Sequence, residues 1–167
     1  MADIVDLIYA DHDWFRRQFF YLDYATTDAD LAAVWEVLAL RLETHAEAEE
    51  VVFYPALLKK GKAGDPEDET EDAIEDHNEI RDTAAAVDKE AVGSDAWLEA
   101  VGKCNRANGD HMAEEERQGL TDFRRHAALE ERHALGVRFA AFEAQHLQGV
   151  EPVDKDPKQW VKAHRPQ

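Results

Sequence analysis

The chain has 167 residues, 44% apolar and 34% charged, with 37 acidic against 19 basic side chains and a formal net charge of −18. That length suits one domain with a sizeable core, and so negative a surface repels phosphate backbones, which argues against nucleic-acid and anionic-membrane partners. The single cysteine, Cys104, rules out a disulfide framework within the chain and any thiolate-rich metal site.

The first residues, Met1-Ala2-Asp3-Ile4-Val5-Asp6, carry no basic leader and no long apolar run, so no signal peptide is expected. No stretch approaches the apolar length of a membrane span, and a soluble cytoplasmic protein is expected. Apolar residues recur at three- and four-residue spacing and alternating strand patterns are absent, which predicts an all-α fold. The first helix is expected over about Asp3 to Tyr24, with Ile4, Val5, Ile8, His12, Phe15 and Phe19 on one side. Thr26-Thr27-Asp28 offers the cap of a second helix carrying Leu31, Val34, Leu38, Leu42, His45, Glu49 and Val52. Pro55 is expected to bend or end that helix near Phe53.

Lys59-Lys60-Gly61-Lys62-Ala63-Gly64 reads as a loop, and Asp65-Pro66-Glu67 as the cap and first turn of a third helix reaching about Ala91. This helix holds Ala73, Ile74, His77, Ile80 and Ala84. After Gly93-Ser94-Asp95, a fourth helix carries Trp97, Val101, Cys104, Asn108, His111, Glu115 and Leu120, with Gly109 inside its pattern. A fifth helix is expected from Leu129 to Leu147. The expected architecture is an up-down-up-down four-helix bundle over residues 1–148, including that additional C-terminal helix, and an irregular tail over 149–167 pinned by Trp160. No tandem repeat stands out beyond the alternation of helix and short connection.

His12, His45, His77 and His111 fall in four separate helices, and Glu49 and Glu115 each follow a histidine by four residues, on the same helix face. At ~1.5 Å per residue, His12 lies roughly 14 Å from the start of its helix, His45/Glu49 roughly 16 Å from the end of theirs, His77 roughly 16 Å from its start and His111/Glu115 roughly 20 Å from their end, so one layer can contain all six. Any one such pair arises easily in a glutamate-rich chain, as His126 and Glu130 illustrate. His126, His133, His146 and His164 are read as surface residues. Buried imidazoles and carboxylates at one level suit two cations of the iron, manganese or zinc type. Cys104, two turns before His111, reads as a small buried apolar side chain. Trp14, Phe15, Phe19, Trp35, Phe53 and Trp97 read as core.

The ordered set Ala10-Asp11-His12, His45-Ala46-Glu47-Ala48-Glu49, Asp76-His77 and His111-Met112-Ala113-Glu114-Glu115-Glu116, with Phe53-Tyr54-Pro55-Ala56-Leu57 after the second pair, resembles the hemerythrin-like HHE cation-binding domain over about Ile4 to Phe123. The resemblance implies two non-haem iron ions in an oxo- or hydroxo-bridged di-iron centre, with His12 and His45 on one iron, His77 and His111 on the other, and Glu49 and Glu115 bridging. The implied ligand is dioxygen, peroxide or nitric oxide, in sensing or detoxification, with the redox partner open. The chain departs from the oxygen-carrying members. They have a second histidine one turn from the third-helix histidine, where this chain has Ala73 and Arg81, and they end on His-x-x-x-x-Asp rather than His-x-x-x-Glu. A position left free could be completed by water, Tyr9, Glu50 or Glu114. It makes peroxide decomposition, or iron sensing without turnover, alternatives to oxygen carriage. A ferritin-like oxidase is disfavoured, because the Glu-x-x-His spacings, Glu130-x-x-His133 and Glu143-x-x-His146, fall outside the four main helices. A metal-free interaction bundle remains the fallback.

Overall fold

The computed structural model describes residues 3–62 and 65–166, and among these all regular structure is helical. Met1, Ala2, Gln167 and the Ala63-Gly64 part of the expected loop lie outside the described residues. Helix α1 (Ile4–Tyr24) begins on Asp3, whose carboxylate accepts the Val5 N–H. Helix α2 (Asp28–Ala48) begins on Thr27, whose hydroxyl accepts the Asp30 N–H.

Pro55 does not end the second helix. The chain passes through one π-turn, Glu49–Phe53, in which the Tyr54 N–H bonds the Glu49 carbonyl five residues back, and continues as α3 (Tyr54–Lys60). The wider turn makes room for the proline ring, which then sits in the first turn of α3, where its missing N–H costs little. It also shifts the face that follows, so that Glu49 and Glu50 are both buried.

Helix α4 (Pro66–Val87) is capped by Asp65 as expected, but stops short of Ala91. Its last apolar residue, Val87, is fully buried, and the polar run that follows turns away while Trp35 Nε1 donates to Asp88 at 2.9 Å. The turn closes on Gly93 at φ 75°, a left-handed conformation that glycine adopts without strain.

Helix α5 (Asp95–Arg117), capped by Ser94, runs unbroken through Gly109. It breaks at Gln118, short of Leu120, which was expected on the same helix, and α6 (Gly119–His126) follows. The Glu116 carbonyl beside the break accepts from the Thr121 hydroxyl at 2.8 Å and from the Tyr9 hydroxyl at 3.2 Å. Helix α7 (Leu129–Gln145) packs on α1 and α2. The tail is not wholly irregular. Asp156 accepts the Gln159 N–H at 2.8 Å and caps α8 (Pro157–His164), which lies on α4 and buries Val161 completely.

Helices α1, α2, α4 and α5 form a closed ring of contacts. The buried apolar residues fall into two clusters. One joins Ile4, Ile8, Val52, Phe53, Ile74 and Phe123 with Phe139 of α7; the other joins Phe15, Phe19, Trp35, Leu38, Ile80 and Trp97 with Cys104. Helices α1, α2 and α4 each leave one cluster and enter the other near the level of their histidines, whereas α5 contributes only to the second cluster and α6 carries the chain into the first. Among the described residues, no helix is long and apolar enough to cross a membrane.

Candidate metal centre

The histidines of the ring helices meet in the layer between the two cores. His12, His45, His77, His111, Glu49 and Glu115 are all at most 6% exposed, and Glu49 is completely buried. His45 Nε2 lies 3.0 Å from Glu49 Oε1, His77 Nε2 3.3 Å and His111 Nε2 3.9 Å from Glu49 Oε2, and His12 Nε2 3.3 Å from Glu115 Oε2. Two triads, His12–His45–Glu49 and Glu49–His77–His111, each bring one donor atom per residue within 4.8 Å of the others. Glu49 is common to both.

The opposite edge of each imidazole is held by a different carboxylate. His12 Nδ1 meets Glu116 at 2.9 Å, His45 Nδ1 meets Asp11 at 3.1 Å, His77 Nδ1 meets Glu50 at 2.8 Å and His111 Nδ1 meets Asp76 at 3.3 Å. A carboxylate accepts, so each Nδ1 carries the donated hydrogen and each Nε2 lone pair faces the layer, as metal-ligating histidines are held. These contacts reveal an approximate two-fold pattern missed in the sequence. Asp-His occurs in α1 and α4, and His-x-x-x-Glu-Glu begins in α2 and again in α5. Asp11 with His45 thus corresponds to Asp76 with His111, and Glu50 with His77 to Glu116 with His12.

The inward-facing atoms are poorly satisfied by the protein itself. Among the described residues, eight buried side-chain nitrogen or oxygen atoms lack a hydrogen bond, and six of them are His12 Nε2, His45 Nε2 and both oxygens of Glu49 and of Glu115. His77 Nε2 and His111 Nε2 lie 3.2 Å apart, a separation that needs a proton or a cation between two lone pairs. Orphaned buried polar atoms are costly, and cations at this level would satisfy them together. Without metal, protons take that place. Burial opposes charging of His45, but Glu49 and Asp11 outweigh it and hold the imidazole well above its ordinary range. His111 is likewise held up to about 10, burial being overcome by Asp76, Glu49 and Glu115. Burial would raise Glu49, yet His45, His111 and His77 hold it well below the usual carboxylate range.

Three residues considered as additional ligands lie elsewhere. Glu50 is engaged behind His77 by Arg81 at 2.9 Å and by Lys155, Tyr9 bonds a backbone carbonyl, and the half-exposed Glu114 accepts from Gln118. The phenol that does reach the layer is Tyr54, fully buried, with its hydroxyl 3.5 Å from His77 Nε2. Burial and the charges of Glu115, Glu49 and Glu50 keep it protonated far beyond the ordinary phenol range. Arg81, one of the two positions one turn from His77, pairs outward with Glu43 and Glu50. A third group, Asp11–His45–Glu143, has compatible spacing, but Asp11 is already bound by Arg41 at 2.7 Å and by His45.

His126 pairs with Asp122 at 2.6 Å outside the layer, and His146 and His164 bond backbone carbonyls one turn back. Cys104 is fully buried in the second core cluster, and burial pushes its thiol up to about 12.

The profile of the hemerythrin HHE cation-binding domain matches residues 3–136. The chain belongs to this hemerythrin family. No curated protein and no solved structure gives a significant match. For a hemerythrin domain the layer is a coherent cation site, since its donors are imidazole and carboxylate and its unsatisfied atoms converge. A narrow cleft lined by Tyr54, His111 and Glu115 at its inner end and by Glu69, Asp72 and Asp76 at its outer end has a volume of about 20 Å³, room for a water-sized ligand. Burial and then the neighbouring Asp122, Asp65 and Glu114 push Glu69 up to about 7, so this carboxyl holds a proton at the acidic mouth more readily than an ordinary glutamate.

Proposed function

We propose that this hemerythrin-family chain is a non-haem di-iron protein, working in the cytoplasm, that binds dioxygen or a related small ligand such as peroxide or nitric oxide. The supporting observation is that one buried carboxylate, Glu49, faces two pairs of inward-pointing histidine nitrogens. In this reading His12 and His45 would hold one iron and His77 and His111 the other, with Glu49 and Glu115 supplying carboxylate oxygens to the pair. The scaffold is an up-down-up-down bundle within residues 1–148, with 149–167 appended to it. An iron pair would supply reversible electron exchange and open coordination positions for the ligand. The chain's own groups do the rest. Asp11, Glu50, Asp76 and Glu116 orient the imidazoles, the two apolar cores keep bulk water from the layer, and the Tyr54 hydroxyl offers one donated hydrogen bond at the inner end of the cleft.

The test is reconstitution with ferrous iron in air. Two irons per chain, with near-ultraviolet oxo-to-iron charge-transfer bands absent from His111→Ala, are expected; a chain that takes up no iron, or binds it without those bands, overturns the reading. A second reading, peroxide decomposition, is favoured by Ala73 and Arg81, the two positions one turn from His77: neither offers an imidazole, and Arg81 turns outward to Glu43 and Glu50. Oxygen release on adding peroxide to the iron-loaded protein, lost in His111→Ala, is its expected signature, and no release removes it.

A further inference from the structure

The approximate two-fold pattern of the centre is broken in the charges behind the histidines: Asp11 is met by Arg41 at 2.7 Å whereas Asp76 meets no lysine or arginine among the described residues, and Glu50 is met by a residue beyond the family match. Glu116, behind His12, is met by one cation, Arg16, at 2.7 Å on a partly exposed side chain. Glu50, behind His77, is met by two, Arg81 at 2.9 Å and Lys155, and its side chain is 1% exposed. Lys155 lies nineteen positions past the last matched residue, Gly136. It also contacts Glu47, and Arg81 also contacts Glu43, so two cations are set among three carboxylates on this side.

The tail that carries Lys155 is fastened on both flanks. Asn78, next to His77, donates from Nδ2 to the Lys155 carbonyl at 2.8 Å and accepts the Lys155 N–H at 3.0 Å through Oδ1, a two-point grip on the backbone of one residue. Immediately after it, α8 anchors the chain through the buried Val161 and through Trp160, which stands edge-on to Tyr54 at 6.4 Å. The ammonium group is therefore held in place by backbone bonds and packing, and the side chain that carries it is only 21% exposed. A charge so placed acts through a medium less screening than bulk water.

We propose that the C-terminal tail is an electrostatic clasp: Lys155 neutralises the carboxylates behind His77 and makes the His77–His111 half of the centre easier to reduce than it would be without the tail. The inference rests on the di-iron reading above and adds to it a dependence of the His77–His111 position on the tail. Without Lys155, Glu50 and Glu47 keep more of their negative charge, the hydrogen bond from His77 Nδ1 to Glu50 strengthens, and imidazole becomes the stronger donor. Each of these favours the ferric state. Lys155 touches no reacting atom and is a positioning residue.

The experiment is a redox titration of the iron-loaded full chain, followed through its charge-transfer bands. Lys155→Met is expected to shift the midpoint potential of one iron downward by about 59 mV, a tenfold change in a one-electron equilibrium, and to leave the other iron nearly unmoved. Lys155→Arg is expected to restore the wild-type value. Lys158→Met, which removes the same charge from the exposed face of α8, is expected to shift neither. A Lys155→Met protein that binds two irons at the wild-type potential overturns the clasp alone, as does an equal shift in Lys158→Met. A wild-type chain that binds no iron overturns the reading of the site and the clasp with it. Thermal unfolding of the variants separates a loosened tail, which lowers the melting temperature without moving a potential, from the proposed effect.

Discussion

Glu49 is the residue on which both halves of the site depend, because its two oxygens face different histidine pairs. Replacing it by alanine is expected to abolish binding of both irons, whereas His12→Ala is expected to leave one. Metal analysis after desalting distinguishes these outcomes, and a Glu49→Ala protein retaining one tightly bound iron would contradict the shared role. The outer carboxylates act more weakly. Asp76→Asn keeps the shape beside His111 Nδ1 but removes the negative charge, and an affinity loss of about 10–100-fold is expected, read by competition with a chelator. Four histidines and two glutamates were legible in the sequence because helical spacing fixes which side chains share a face, and because matched distances from helix ends place them at one level. Asp11, Glu50, Asp76 and Glu116 were not. Each is the immediate neighbour of an inward-facing residue, about 100° round the helix, where an acidic side chain in so acidic a chain looks like ordinary solvated surface. The duplicated Asp-His and Glu-Glu steps were the available signal.

Among the elements, those specified by local chemistry were legible and those decided by packing were not. The starts of α2 and α4 follow from Thr27 and from Asp65-Pro66, and the same cap-and-proline signal at Asp156-Pro157 announces α8, although a proline-rich tail masked it. The π-turn at Glu49 and the break at Gln118 have no propensity signature, because each depends on what the neighbouring helices leave room for. Two glycines separate local preference from tertiary need. Gly109 lies inside α5 with nothing within 4 Å of where a Cβ would stand, so Gly109→Ala is expected to stabilise the fold by about 0.5–1 kcal/mol, seen as a higher urea midpoint. Gly93, at φ 75°, would place a Cβ against the Asp28 carboxylate. Asp28 can swing aside, so the backbone conformation dominates and Gly93→Ala is expected to cost about 1–2 kcal/mol in the same measurement. Equal effects of the two substitutions would contradict this account.

At the scale of the whole molecule, the buried layer couples stability to pH in a direction that metal should reverse. His45 and His111 are held above their unfolded value of 6.5, so their contribution is complete below 6.5 and is lost as pH rises through the folded values, for His111 between 6.5 and about 10. Glu143, raised to about 7 by burial and the adjacent Asp11, adds a loss between its unfolded value of 4.5 and about 7. Glu50 works in the opposite sense. Burial alone would raise it, but His77, Arg81 and Lys155 bring it down to about 2, so its contribution is present above 4.5 and disappears as pH falls toward 2. The metal-free chain is therefore expected to have its highest melting temperature between pH 4.5 and 6.5 and to weaken steadily from there to pH 9, where the net negative charge adds self-repulsion. Iron or zinc would replace the protons on the inward nitrogens, so loading is expected to release protons and to flatten the alkaline decline, because metal-bound imidazoles no longer titrate over that range. Calorimetric melting of the metal-free and metal-loaded protein across this pH range provides the comparison. A metal-free protein that grew more stable from pH 6.5 to 9 would mean that the histidines are not the proton store the geometry makes them.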